Sequence, residues 1–163
     1  RLHDDGDISV TMGTVRIEPD DVTIEHQDTW WSACKVDVGN PHAVVVTDHT
    51  TVSGINLDDS PTWQPRSAFP DGVNVEFVEQ IDQHTVAMRV HERGSGETMS
   101  CGTGTVAVAA TMAARTRHRG PWTVYVPGGQ VVVTLSPSDD GYQAVLTGPA
   151  VILAAGQVDL PDG

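Results

Sequence analysis

Lysine is nearly absent from this sequence, and Lys35 is the sole example. Lys and Arg together number 9 against 22 Asp and Glu, for a net charge of −13. A nucleic-acid partner is therefore not expected, because a phosphate backbone would be repelled. Cysteine is scarce as well. Cys34 and Cys101 form no CxxC pair and have no zinc-ligand spacing with the histidines, so no metal site is expected and nothing argues for a disulfide. Long hydrophobic runs are missing too, and no stretch resembles a transmembrane helix or a signal peptide. A cytoplasmic chain without a membrane partner is the expectation. No repeat or low-complexity segment is present.

What the sequence does contain fits one domain or two small lobes. Its 163 residues are 39% hydrophobic, and a chain of that length buries about two-thirds of its unfolded surface. The stretch that organises it is Arg89–Gly104, R-V-H-E-R-G-S-G-E-T-M-S-C-G-T-G. A strand-like run, Thr85–Val90, enters a charged, glycine-spaced loop that ends at Cys101. From Thr103 to His118 the chain has no Pro and, after Gly104, no Gly, which predicts a helix. Arg115, Arg117, His118 and Arg119 are cations suited to its C-terminus, and Gly120-Pro121 stops it. Cys101 is thereby expected at a helix N-terminus, where free N–H groups stabilise an anion, either a thiolate or a substrate carboxylate. A loop this polar does not belong to a core. It suits an electropositive, partly exposed and reactive thiol.

The rest reads mostly as strands. Ile8–Ile17 alternates with a pause at Gly13, and Val22–His26 and Trp30–Val38 follow. Cys34 has strand neighbours and reads as packing. Gly39-Asn40-Pro41-His42 interrupts two apolar strands, leaving His42 either a turn residue or a functional group at a strand mouth. Asp48–Pro70 is loose, with room for at most a short helix around Leu57–Gln64. In the alternating strand Val73–Gln80, Asn74 lies opposite Val73, Val75 and Phe77, so it is either solvated or directed at a site. Trp122–Val126, Val131–Leu135, Tyr142–Leu146 and Val151–Leu160 complete the strands. The predicted fold is α+β: a strongly curved, mainly antiparallel sheet around one buried helix that is apolar on nearly every face.

Six blocks in order resemble the diaminopimelate epimerase family: Gly39-Asn40-Pro41-His42-Ala43-Val44, Gly72–Val78, Glu92–Thr98, Ser100–Gly104, Val126–Gly129 and Leu146–Ala150. Jointly they are specific, and they resemble that family's C-terminal half. Family members have two similar α+β lobes, each with a cysteine at the start of its central helix and the active site between them. The resemblance makes residues 1–163 a single C-terminal lobe whose N-terminal partner lobe is absent from this sequence. Cys34 stands in no such motif and does not replace the second cysteine.

By this resemblance the activity is cofactor-independent inversion at the α-carbon of diaminopimelate between the LL and meso forms, in lysine and peptidoglycan precursor synthesis. Cys101 is one of two opposed catalytic thiols. Glu92 binds the reacting amino group and, with His42, tunes the thiols. Gly102 and Thr103 offer N–H groups to the reacting carboxylate, while Asn40, Asn74 and Arg93 hold the distal end. The partners implied are the small-molecule substrate and the missing lobe, and a homodimer is compatible with them. The alternatives are a hydroxyproline-type epimerase or proline racemase, a redox or hydrolytic cysteine protein without its usual companion residues, and a lobe that folds but does not catalyse.

Overall fold

The protein is described by a computed structural model covering residues 1–157 other than Asp5 and His49, with no side chain given for Asp20. In chain order its strands are β1 (Asp7–His26), β2 (Thr29–Asp37), β3 (Pro41–Val46), β4 (Thr62–Gln64), β5 (Asn74–Asp82), β6 (Thr85–Glu92) and β7 (Gly96–Thr98). Helix α1 (Gly102–Thr116) follows, then β8 (Trp122–Val126), β9 (Gly129–Ser138) and β10 (Gly141–Pro149). The strands form one sheet in the order β10-β9-β8-β6-β5-β3-β2-β1-β4, with β7 beside β6. A further β1–β10 pairing brings the sheet to a barrel-like closure, with β4 left on the edge beside the second part of β1. Among the described residues only β3–β5 and β6–β8 pair in parallel.

β1 is one strand of 20 residues where the alternation predicts two. Its first part pairs with β10 and its second with β2, with register breaks at Thr11/Gly13 and Glu18/Val22. Gly13 has φ +81, which permits the first bend that turns the strand from one neighbour to the next.

The predicted helix is present, ending at Thr116 rather than His118, with Arg117 in the left-handed region at its C-cap. Every residue from Gly104 to Ala113 is buried. The Val-Ala-Val-Ala-Ala run is thus the composition of a helix enclosed by sheet, small enough for strands to approach closely. Val106, Val108 and Met112 share a core with Val44, Val78, Met88, Trp122 and Leu135. Each such side chain, once fully buried, contributes about 1.5–3 kcal/mol. A second cluster covers the other face of β3 and β5: Ala43, Val45, Val75 and Phe77 pack with Val52, Ile55, Leu57 and Phe69. The segment before β5 is that cover. It forms two 3-10 turns (Val52–Gly54 and Arg66–Ala68) and the short β4, in place of the helix allowed around Leu57–Gln64. Pro61 and Pro65 remove the donors a helix there would need. The last expected strand, Val151–Leu160, is also corrected. Residues 151–157 have no regular structure, and Val151, Ile152 and Leu153 are exposed. Positions 158–160 lie outside the described residues.

Candidate active site

Cys101 is the N-cap of α1, with extended backbone (φ −129, ψ 109). Its carbonyl oxygen accepts hydrogen bonds from the Thr105 amide and hydroxyl, both at 2.8 Å. Its Sγ accepts from the Gly104 amide at 3.4 Å and lies 3.6 Å from Thr103 Oγ1. The amides of Gly102 and Thr103 find no partner among the described residues, as expected in the first turn of a helix, and they remain open to an anion. The approach to the cysteine is braced. Gly128, in the turn between β8 and β9, donates its amide to Met99 O at 2.7 Å, and a Cβ there would lie 3.0 Å from that oxygen. The Val-Pro-Gly-Gly block thus supports the loop that delivers Cys101.

His42 is not at an open strand mouth. It is fully enclosed, with Nδ1 2.7 Å from Glu76 Oε1 and Nε2 3.1 Å from Asn40 Oδ1. The parallel register of β3 and β5 sets His42 beside Asn74 and Val44 beside Glu76. Asn40 extends the network, its Nδ2 donating to Thr103 Oγ1 at 3.4 Å. Asn74 is buried rather than solvated, and its Oδ1 accepts the Arg93 amide at 2.9 Å. That bond ties the start of β5 to the turn after β6. Arg93 itself is exposed, with Nη1 donating to Asp71 O at 3.1 Å. Glu92 is half-buried and accepts from Thr98 Oγ1 at 2.5 Å across the β6–β7 hairpin. The charged loop expected before Cys101 is therefore partly a strand pair, closed around Gly94 and Gly96.

All eight residues singled out in the sequence lie on four converging segments: the turn into β3, the start of β5, the β6–β7 turn and the N-terminus of α1. Contacts link Asn40, His42, Thr103 and Cys101 into one group and Asn74 with Arg93 into another. Sequence reasoning missed Glu76, Thr98 and Gly104. Glu76 was marked by alternation alone, since it shares a strand face with Asn74. A Cβ at Gly104 would lie 2.6 Å from Glu76 Oε1 and 3.3 Å from Cys101 Sγ, so only glycine lets the helix sit this close.

The electrostatics overturn the electropositive, part-exposed setting expected for Cys101. Burial pushes its thiol up, more than the Thr103 hydroxyl and the Gly104 amide pull it down, and the carboxylates of Glu76 and Glu92 add to the rise. Burial shifts such groups by as much as about 3–5 units. A helix N-terminus supplies only about 0.3–2 kcal/mol, or about 1.5 units at most. Burial wins, and the resting form is the thiol. Burial also dominates at Glu76, whose carboxyl is held above its ordinary range despite the bond from His42. Cys34 packs against the core as expected, and burial raises its thiol too. A cavity of about 670 Å³ lies beside Cys34 and Thr111, towards the C-terminal end of α1 and away from Cys101. No group of three or more possible metal ligands occurs among the described residues, and no helix there is long and apolar enough to cross a membrane.

A family model described as diaminopimelate epimerase matches residues 34–153. A diaminopimelate epimerase of Streptomyces coelicolor is 46% identical over 161 residues, covering 94% of this chain and 54% of that protein. One of Rhodococcus opacus is 46% identical over 160 residues, covering 94% of this chain and 53% of the relative. The chain spans about half the length of the curated relatives it matches. Among solved structures, a probable proline racemase from Agrobacterium radiobacter superposes with a TM-score of 0.67 at 19% identity, covering 95% of this chain and 54% of that one. That likeness is one of fold.

Proposed function

The chain belongs to the diaminopimelate epimerase family, and from that membership we propose that it forms the C-terminal lobe of a two-lobed isomerase that interconverts LL- and meso-diaminopimelate without a cofactor. The observation that carries the reading is Cys101 capping the buried helix beside open Gly102 and Thr103 amides, with Glu92 close enough to act on its charge.

The chemistry follows from these parts. An α-proton is far less acidic than a thiol, so a thiolate base alone does not lower the barrier enough. The main effect is stabilisation of charge that develops on the substrate carboxylate, supplied by the preorganised amides of Gly102 and Thr103 in a cleft closed to water. Inversion needs a base on one face of the carbon and an acid on the other. One thiolate takes the α-proton and becomes a thiol, while the opposed thiol delivers its proton to the other face and becomes the thiolate. Cys101, protonated at rest, suits the donor role until the partner's thiolate has reacted, after which the roles exchange. The second thiol comes from the partner lobe.

Glu92, held by Thr98, is oriented to take the reacting ammonium. Asn74 and Arg93 face the distal end, where a guanidinium grips a carboxylate bidentately, while Asn40 is held between His42 and Thr103 beside Cys101. Those distal groups favour a substrate with a second zwitterionic end over a proline-type one. The test uses the full-length protein with LL-diaminopimelate in D₂O, following loss of the α-proton NMR signal and appearance of the meso form. Both are expected, and Cys101→Ala should abolish both. Exchange with hydroxyproline but not diaminopimelate would transfer the chain to the rival substrate class.

A further inference from the structure

Glu76 is the one charged side chain in the core without an explanation. It is fully buried, and its Oε2 has no hydrogen-bond partner. Its other oxygen meets His42 Nδ1 at 2.7 Å and lies under Gly104, the residue whose amide caps Cys101 Sγ. A buried carboxyl with an unsatisfied oxygen destabilises a fold, so its presence calls for another role.

The hydrogen-bond directions show what that is. Asn40 Nδ2 donates to Thr103 Oγ1, so Asn40 turns its Oδ1 to His42. That oxygen carries no proton, which obliges His42 Nε2 to be the donor. One proton is left to lie between His42 Nδ1 and Glu76, on either partner. The Thr103 hydroxyl, already accepting from Asn40, has its own proton free to point at Cys101 Sγ. Three donors therefore run in one direction, from imidazole to amide to hydroxyl to sulfur. The Gly104 amide reaches the same sulfur from the helix.

Resting on the two-thiol reading of this site, we propose that Glu76 is a positioning residue for the reacting thiol: by holding His42 Nδ1 it fixes the ring so that Nε2–H drives a donor chain through Asn40 and Thr103 onto Cys101 Sγ. The chain transmits orientation and polarisation rather than a proton, since an amide cannot shuttle one. It favours the thiolate when Cys101 must become a base. Without Glu76 the ring is free to turn or change tautomer, and Asn40 with it. The titratable groups around Glu76 are His42 from β3, Glu92 from β6 and Cys101 at the helix N-terminus.

The measurement is the thiolate ultraviolet absorbance of Cys101 against pH in the full-length protein, with the Cys101→Ala form of each variant as blank. Glu76→Ala should raise the apparent thiol pKa by about one unit, a tenfold loss of thiolate below it. Glu76→Gln, whose amide can donate to Nδ1 as a protonated carboxyl does, should stay within about twofold of the parent, since it keeps the ring fixed. If Glu76 were only a nearby negative charge, both variants would lower the thiol pKa, and the proposal falls. It falls equally if Glu76→Ala lowers the melting temperature and leaves the thiol titration where it was. Should Glu76→Ala fail to fold, Thr103→Val removes the last donor alone and must give the same tenfold loss; an unchanged titration there overturns the chain. Diaminopimelate exchange by the parent protein is followed separately. Its absence refutes the epimerase reading and leaves the thiol comparison intact.

Discussion

A methyl group at Gly104 would lie 2.6 Å from Glu76 Oε1 and 3.3 Å from both Cβ and Sγ of Cys101. Two effects compete at this residue. Alanine in a helix is favoured over glycine by about 0.8–1 kcal/mol. Overpacking a filled core costs about 1–3 kcal/mol, and here the collision is with a fully buried carboxyl. Gly104→Ala is therefore expected to lose up to about 2 kcal/mol in denaturant unfolding, the difference between those two ranges at the upper end. Gly102→Ala, where the nearest atoms are 3.5 and 3.7 Å away on Leu146 and Met12, serves as the sterically permitted control. Equal or greater stability of Gly104→Ala would show that the Glu76 side chain moves aside freely. These residues also mark where the sequence was legible. Cys101, Glu92 and His42 stand in glycine-punctuated motifs whose chemistry shows on the surface of the text. Glu76 stands in V-N-V-E-F-V-E-Q, which reads equally well as a solvated strand face. Alternation gives the face but not what packs on it, and the packing partner is a helix 26 positions on, at residue 102.

An ion pair braces the β6–β7 hairpin. Arg89 donates Nε to Glu97 Oε1 at 2.6 Å and Nη2 to Glu97 Oε2 at 2.7 Å, a bidentate grip. Its Nη1 reaches back to the carbonyls of Val52 and Ile55, so the same guanidinium fastens the first 3-10 turn to the sheet. The hydrogen bonds from Arg89 hold the Glu97 carboxyl below its ordinary range. A lowered carboxyl contributes stability that is present above its unfolded pKa, about 4.3, and that is lost as pH falls through the folded value. Acid unfolding below about pH 4.3 should accordingly be shallower in Glu97→Gln than in the parent. An unchanged slope would remove the pair from the stability of the hairpin. Arg89→Met should lose more than Glu97→Gln at neutral pH, because it also takes the Arg89 donor from the Ile55 carbonyl, at about 1–3 kcal/mol, while the Val52 carbonyl keeps the Ile55 amide. At this scale β5, β6, β8, β9, β10 and the helix were legible from periodicity, whereas β4 lies where a short helix was allowed. β7 was not, because three residues in a charged loop have no period to read. The fusion of two predicted strands into β1 was hidden for a related reason. A bulge at Gly13 and a register break after Glu18 look, in sequence, like turns between strands.

At the scale of the whole molecule, the site is assembled on one side only. One thiol is present near Glu92, the Gly102 and Thr103 amides have no partner, and Arg93 and Met99 are exposed around them. A barrel that closes on itself around its own helix has no need of a second lobe to fold. It does need a second acid–base group to invert a carbon, because retention is all that one face can give. Water over the open face would also screen the helix N-terminus and weaken its hold on charge that develops on the substrate. Residues 1–163 expressed alone are thus expected to fold, with a cooperative thermal transition, and to convert no LL-diaminopimelate to the meso form. Mixing with a separately expressed N-terminal lobe from a full-length relative should restore conversion, slowly, because two free lobes must first meet and then close. The two preparations and their mixture are compared by α-proton loss in D₂O and by the ratio of LL to meso product. Full-rate inversion by the 163-residue chain alone would require a second base, either from elsewhere in this sequence or from another copy of it, and a dimer in sedimentation that dissociates with loss of activity would distinguish the two.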